Sequence, residues 1–113
     1  MPAISENIRL ATQTMVREFH PRKVILFGSR AYGTPRSDSD VDLLVILSFD
    51  CSPYRMNARL LGAIGKAATG PGENGGFDIK ARRPEDIAWR YAEGDPMIRD
   101  AIDRGIVLYE AAA

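Results

Sequence analysis

Apolar positions along the chain change their spacing several times, and each change marks an element. Between Ser5 and about Glu18, Ile8, Ala11, Met15 and Val16 fall on one side of a helical wheel, and Ser5 stands where a hydroxyl caps the first turn. Lys23 to Phe27 (K-V-I-L-F) and Val41 to Leu47 (V-D-L-L-V-I-L) are short, nearly continuous apolar runs, which predicts buried strands. Ser52-Pro53 supplies a cap with proline at the first helical position, so a helix is expected from there to roughly Thr69, ended by the glycine-rich loop Gly70 to Gly76. Phe77 to Ala81 (F-D-I-K-A) predicts a third strand. Pro84 opens a helix that passes Trp89 and Tyr91 before Gly94, Asp95-Pro96 starts a last helix ended by Gly105, and Ile106 to Tyr109 reads as an edge strand. This alternation, without repeats, predicts an α/β (α+β type) fold: a small mixed sheet carrying any site on one face and helices packed on the other.

The chain has 113 residues, enough for one modest core, so a single domain over residues 1–113 is expected. Fifteen basic and fifteen acidic side chains cancel, leaving no field that would hold long nucleic acid nonspecifically, and processive polymerase work is not expected. Cys51, the one cysteine, has no partner for an internal disulfide, which points to a reducing compartment. No basic-then-apolar leader and no apolar run of membrane-spanning length is found, so a cytoplasmic protein without a membrane association is expected.

The chemistry concentrates in the run from Gly28 to Leu43, G-S-R-A-Y-G-T-P-R-S-D-S-D-V-D-L. Asp40 and Asp42 alternate at the start of a strand and therefore point the same way. Two carboxylates on one face repel unless a cation lies between them, and a hard divalent ion such as Mg2+ is the natural resident. Mg2+ takes few protein carboxylates and fills its other positions with phosphate oxygens, which a nucleoside triphosphate supplies. Gly28 lets backbone amides approach such phosphates, Ser29 adds a hydroxyl and Gly33 permits the return of the chain over the site. The plain alternative is a solvated turn before a strand, which requires turn, spacing and alternation to coincide by chance.

This ordered string resembles the G-S-x-x-x-G…S-D-x-D-L signature of the polymerase-beta-like nucleotidyltransferase superfamily, and looks most like its small stand-alone members, the minimal nucleotidyltransferases. The likeness runs from L-F-G-S-R-A-Y-G to the ending D95-P-M-I-R-D-A-I-D-R-G105-I-V-L-Y-E, nearly the whole chain. It implies transfer of AMP from ATP at a two-ion Mg2+ site, with Gly28, Ser29, Arg30, Gly33 and Ser39 around the nucleotide. It also implies a HEPN-domain toxin as partner, silenced when AMP is placed on one of its tyrosines, and hence a homo- or hetero-oligomer.

A working two-ion site needs a third carboxylate to complete the second ion's shell and assist deprotonation of the acceptor. Asp78 is the choice, because it lies in the third strand with Phe77 and Ile79 facing away, and its place after the acidic pair matches the family's order. Asp50, Glu85 and Asp86 are the alternatives, the last two better read as first-turn residues of a helix. Arg30 reads equally as a phosphate contact or a surface ion pair. Lys80 shares the face of Asp78, Arg82 and Arg83 read as a solvated rim, His20 as a turn residue, and Trp89 and Tyr91 as packing residues. Three classes stay open: an antitoxin that adenylylates a HEPN toxin, a small-molecule transferase of the aminoglycoside-modifying type, and a noncatalytic antitoxin that acts by binding alone.

Overall fold

The computed structural model describes residues 4–32, 40–65 and 76–112, so Gly33, Ser39 and the loop from Gly70 to Gly75 lie outside the described residues. Helix α1 spans Glu6–Phe19, and the Ser5 hydroxyl accepts from the Ile8 amide at 3.2 Å, the expected cap. His20 closes it in the left-handed region at φ 51°, donating its amide to the Val16 carbonyl, as a turn residue does. The remaining elements are β1 Lys23–Phe27, α2 Ser29–Tyr32, β2 Val41–Ile46, α3 Pro53–Gly65, β3 Phe77–Arg82, α4 Pro84–Ala92, α5 Pro96–Arg104 and β4 Ile106–Glu110. Ser52 caps α3 through the Arg55 amide, and Asp95 caps α5 through the amides of Met97 and Ile98, each with proline in the first turn. Helix α3 is described as far as Gly65, short of the expected Thr69, which falls among the residues outside the description.

The four strands form one mixed sheet in the order β3-β2-β1-β4, with β2 and β3 parallel and the other pairs antiparallel. The expected edge strand β4 takes one margin and β3 the other. Alternation along the strands sends Val24, Leu26, Val41, Leu43, Val45, Ile79 and Ala81 to one face, where Ile8, Ala11 and Met15 of α1 and Met56, Leu60 and Ile64 of α3 cover them. Each large side chain fully buried there contributes roughly 1.5–3 kcal/mol of transfer free energy.

The mixed sheet and its helices match the expected fold class, but the helices cover both faces rather than one. Ile25, Phe27, Leu44 and Ile46 point to the second face and pack against Ile98 and Ala101 of α5, with Ile87 and Tyr91 of α4 alongside. The reason is visible in β1 and β2: an apolar run without polar alternation is hydrophobic on both sides and must be covered on both. Gly105 makes this layer fit, since a Cβ there would run into the Ala101 carbonyl and the Ile25 side chain. Asp42, Asp78 and Lys80 fall on this same second face, beyond the cover of α5.

Candidate active site

Strand β1 delivers the chain to Phe27, directly across from Asp42 on β2. Gly28 follows with φ 78°, a conformation that L side chains avoid, and a Cβ there would collide with the Asp42 carboxylate. Glycine is thus required twice over, by its dihedral and by the acid that occupies the space. The Gly28 carbonyl accepts from the amides of Ala31 and Tyr32 at 3.0 and 3.3 Å, which starts the short helix α2 and leaves Ser29 exposed in its first turn with Arg30 half-buried behind it. Tyr32 at the end of α2 lies under the guanidinium of Arg104, 3.9 Å from its ring centroid, so the turn is anchored to α5.

The parallel register of β2 and β3 sets Asp42 beside Asp78 and Leu44 beside Lys80. The Asp42 carboxyl is raised above the usual carboxylate range, chiefly by burial and then by the charges of Asp78 and Asp40, with Lys80 partly offsetting them and a hydrogen bond with Asp78 favouring the protonated form. Lys80 Nζ lies 3.3 Å from Asp78 Oδ1. Asp40 is exposed at the entry to β2, and its Oδ1 accepts from the Gly76 amide at 3.2 Å, while the Gly76 carbonyl accepts from the Val41 amide at 2.9 Å. These bonds tie the start of β3 to the start of β2, and Asp40, Asp42 and Asp78 meet at the end of the sheet where Gly28 turns.

One Asp40 oxygen is engaged by Gly76, and among the described residues no group of three or more His, Cys, Asp or Glu side chains is arranged to hold a metal ion. The donor chemistry of Asp42 and Asp78 nevertheless fits a hard dication. Both are oxygen donors on one face, and of the causes that raise the Asp42 carboxyl, burial first and the neighbouring acids second, a cation between the two removes the second. Of the alternative acids, Asp50 lies exposed in the loop before α3, and Glu85 and Asp86 occupy the first turn of α4 as expected.

Three other expectations need correction or refinement. Arg83 is not a solvated rim residue: its Nε and Nη2 donate to the carbonyls of Phe49 and Cys51 at 2.9 and 2.7 Å, and its guanidinium stacks 4.3 Å from the Phe49 centroid. Two donors of one guanidinium satisfy two carbonyls of a loop outside the sheet, which a sequence reading of two adjacent arginines does not reveal. Arg82 is half-buried on the site's face, donating from Nη1 to the Ala81 carbonyl. Trp89 is 51% exposed, with Nε1 donating to Asp86, and does not pack in the core; Tyr91 does pack against the second cluster and donates its hydroxyl to Asp103.

Two contributors escaped the sequence reading. Gly76, which orients Asp40, is marked only by its place immediately before β3. Asn57 of α3 accepts from the buried Ala81 amide at 2.6 Å, fixing β3 to α3; its signal is an amide side chain inside an otherwise amphipathic helix, where asparagine is a poor helix former. A groove of about 360 Å3 runs between these two elements, lined by Tyr54, Asn57, Ala58 and Leu61 on α3 and by Phe77 to Lys80 on β3. A slightly larger one, about 380 Å3, lies between α1 and β4 at the opposite margin of the sheet, away from the acids.

Fold and site together define a nucleotidyl-transfer domain. Residues 6–70 match the nucleotidyltransferase domain family model, and the chain belongs to that family. Its structure is similar to the crystal structure of spectinomycin adenyltransferase AAD(9) from Enterococcus faecialis with ATP and spectinomycin, at a TM-score of 0.65 and 15% identity over 96% of this chain. The chain spans only 56% of the length of that protein. No curated protein sequence matches it. Among the described residues no helix is long and apolar enough to cross a membrane.

Proposed function

We propose that residues 1–113 act as one metal-dependent nucleotidyltransferase domain that moves AMP from ATP to a hydroxyl, the acceptor being a tyrosine of a HEPN toxin partner in the cytoplasm. The observation that carries the reaction class is the register pairing of Asp42 with Asp78 directly across from the Gly28 turn. In this reading Gly28, Ser29, Arg30, Gly33 and Ser39 border the triphosphate, and Asp40, Asp42 and Asp78 are the ligands of two Mg2+ ions. When bound, those ions would neutralise charge on the transferring phosphoryl group and the leaving pyrophosphate. The acceptor oxygen attacks the α-phosphorus, the bond to the β-phosphate oxygen breaks, and pyrophosphate leaves. Asp78 is the base nearest the open groove and takes the acceptor's proton, while Lys80, held 3.3 Å from it, faces the developing charge.

The protein acceptor rests on the likeness of the sequence to minimal nucleotidyltransferases. A second reading, a small-molecule acceptor of the aminoglycoside type, is favoured by the structural neighbour solved with spectinomycin. Against it, the groove beside Asp78 is open along a sheet edge, a shape suited to a protruding side chain more than to an enclosed drug. The test is calorimetry beside pyrophosphate release. Asp78→Asn is expected to keep measurable Mg-ATP binding and lose turnover; unchanged turnover would move the base to another acid, with Glu85 next.

A further inference from the structure

The outward face of α3 is unpartnered and of one charge. Tyr54 is 85% and Leu61 44% exposed, and with Asn57 and Ala58 they form an i, i+3, i+4, i+7 stripe along the groove whose other wall is β3. Beside the stripe, Arg55 and Arg59 stand one turn apart, both exposed, and no carboxylate occurs anywhere in α3. The same groove reaches Asp78 and Lys80. The groove thus meets the β3 edge at Asp78 and Lys80, whose side chains fall on the face opposite α3. The two arginines flank the stripe outside the groove, so a segment docked on this strip reaches the acids across that edge.

We propose that this strip docks the protein acceptor, and that the docked segment is acidic and apolar with its hydroxyl residue carried to Asp78. The inference rests on the transfer reading above and adds the chemistry of the acceptor. Charge complementarity selects the occupant: two arginines without a neighbouring acid on their helix attract carboxylates, and Tyr54 and Leu61 offer apolar contact between them. A polycationic acceptor is repelled by the same face. Asn57 is already engaged by the Ala81 amide, so the strip and β3 present one fixed surface.

The probes are two random copolymers, one of glutamate and tyrosine and one of lysine and tyrosine, each fluorescently labelled. Anisotropy without nucleotide reads docking alone. The glutamate copolymer is expected to bind the wild-type protein, and the doubly charge-reversed Arg55→Glu/Arg59→Glu variant to bind it at least tenfold more weakly while gaining affinity for the lysine copolymer. Leu61→Asp should weaken the glutamate copolymer as well. Equal binding of both copolymers, or no change on charge reversal, overturns the proposal. With Mg-ATP added, adenylyl incorporation into the glutamate copolymer should show a raised KM and an unchanged kcat in the charge-reversed protein. Docking that responds as expected, with no incorporation in any variant, supports the strip and counts against the transfer reading, so the two failures are told apart. All three positions are exposed on a helix whose buried side is untouched, and matching melting temperatures verify the fold.

Discussion

At the scale of single residues, the burial and charge around Asp42 set stability against its proposed role. Its carboxyl is raised by burial and by Asp78 and Asp40, so the native state binds its proton more tightly than the unfolded chain does. The contribution to stability is therefore greatest below the ordinary carboxylate value, and it declines as pH rises through the window up to the raised folded value. In metal-free protein at neutral pH, Asp42→Asn is accordingly expected to raise the melting temperature, a gain that fades in acid. The same substitution should cut Mg2+-dependent pyrophosphate release on the order of a hundredfold or more and abolish the thermal stabilisation by Mg-ATP. In the wild type, that stabilisation should weaken as pH falls through the raised value, because protons compete with the cation. A variant that melts lower and keeps full turnover would remove Asp42 from the site. Gly28→Ala is the companion case: the left-handed dihedral alone costs about 1–2 kcal/mol for an alanine, and the methyl group also displaces the Asp42 carboxylate. Both melting temperature and turnover are expected to fall.

At the scale of elements, the site depends on how β3 is held. Its register with β2 sets Asp78 beside Asp42, the Gly76 amide bonds Asp40, and Asn57 secures the far end through the Ala81 amide. Because Ala81 is fully buried, Asn57→Ala leaves a donor without a partner and is expected to cost about 1–3 kcal/mol, read as a melting temperature several degrees lower. Asn57→Asp keeps an acceptor at that position and should recover part of the loss. Period and turn chemistry made α1, the strands, the three prolines at helix starts and the Ser5 cap legible in the sequence, since these are local effects. The two-sided cover of the sheet was less so: continuous apolar runs in β1 and β2 imply it, but which helices provide the second layer depends on where α5 returns. Asp40 and Asp42 were readable because two-residue alternation is local. That Asp78 stands directly beside Asp42 was not, because strand order and register are set by long-range pairing. Likewise Arg83 was read from its neighbours as a solvated residue, when two of its donors serve carbonyls more than 30 residues away.

At the scale of the whole molecule, the two margins of the sheet differ in what they offer a partner. The β4 margin has the slightly larger groove but carries none of Asp40, Asp42 and Asp78, whereas the β3 margin brings Asp78 and Lys80 to the surface beside the cationic face of α3. An acceptor docked along the β3 margin would complete the proposed site. That arrangement predicts a covalent outcome rather than a steric one. Mixed with Mg-ATP and the proposed HEPN partner, the protein is expected to add AMP to a partner tyrosine, seen as a discrete mass gain in intact-mass spectrometry and located by peptide mapping. Asp42→Asn should still associate with the partner, because the carboxylate lies at the sheet end and outside the α3 strip, but the mass gain should vanish and toxin activity should persist. The converse pattern, toxin silenced equally by wild type and Asp42→Asn with no mass gain in either, would mean that binding alone neutralises the partner and that the acidic pair serves nucleotide binding without transfer.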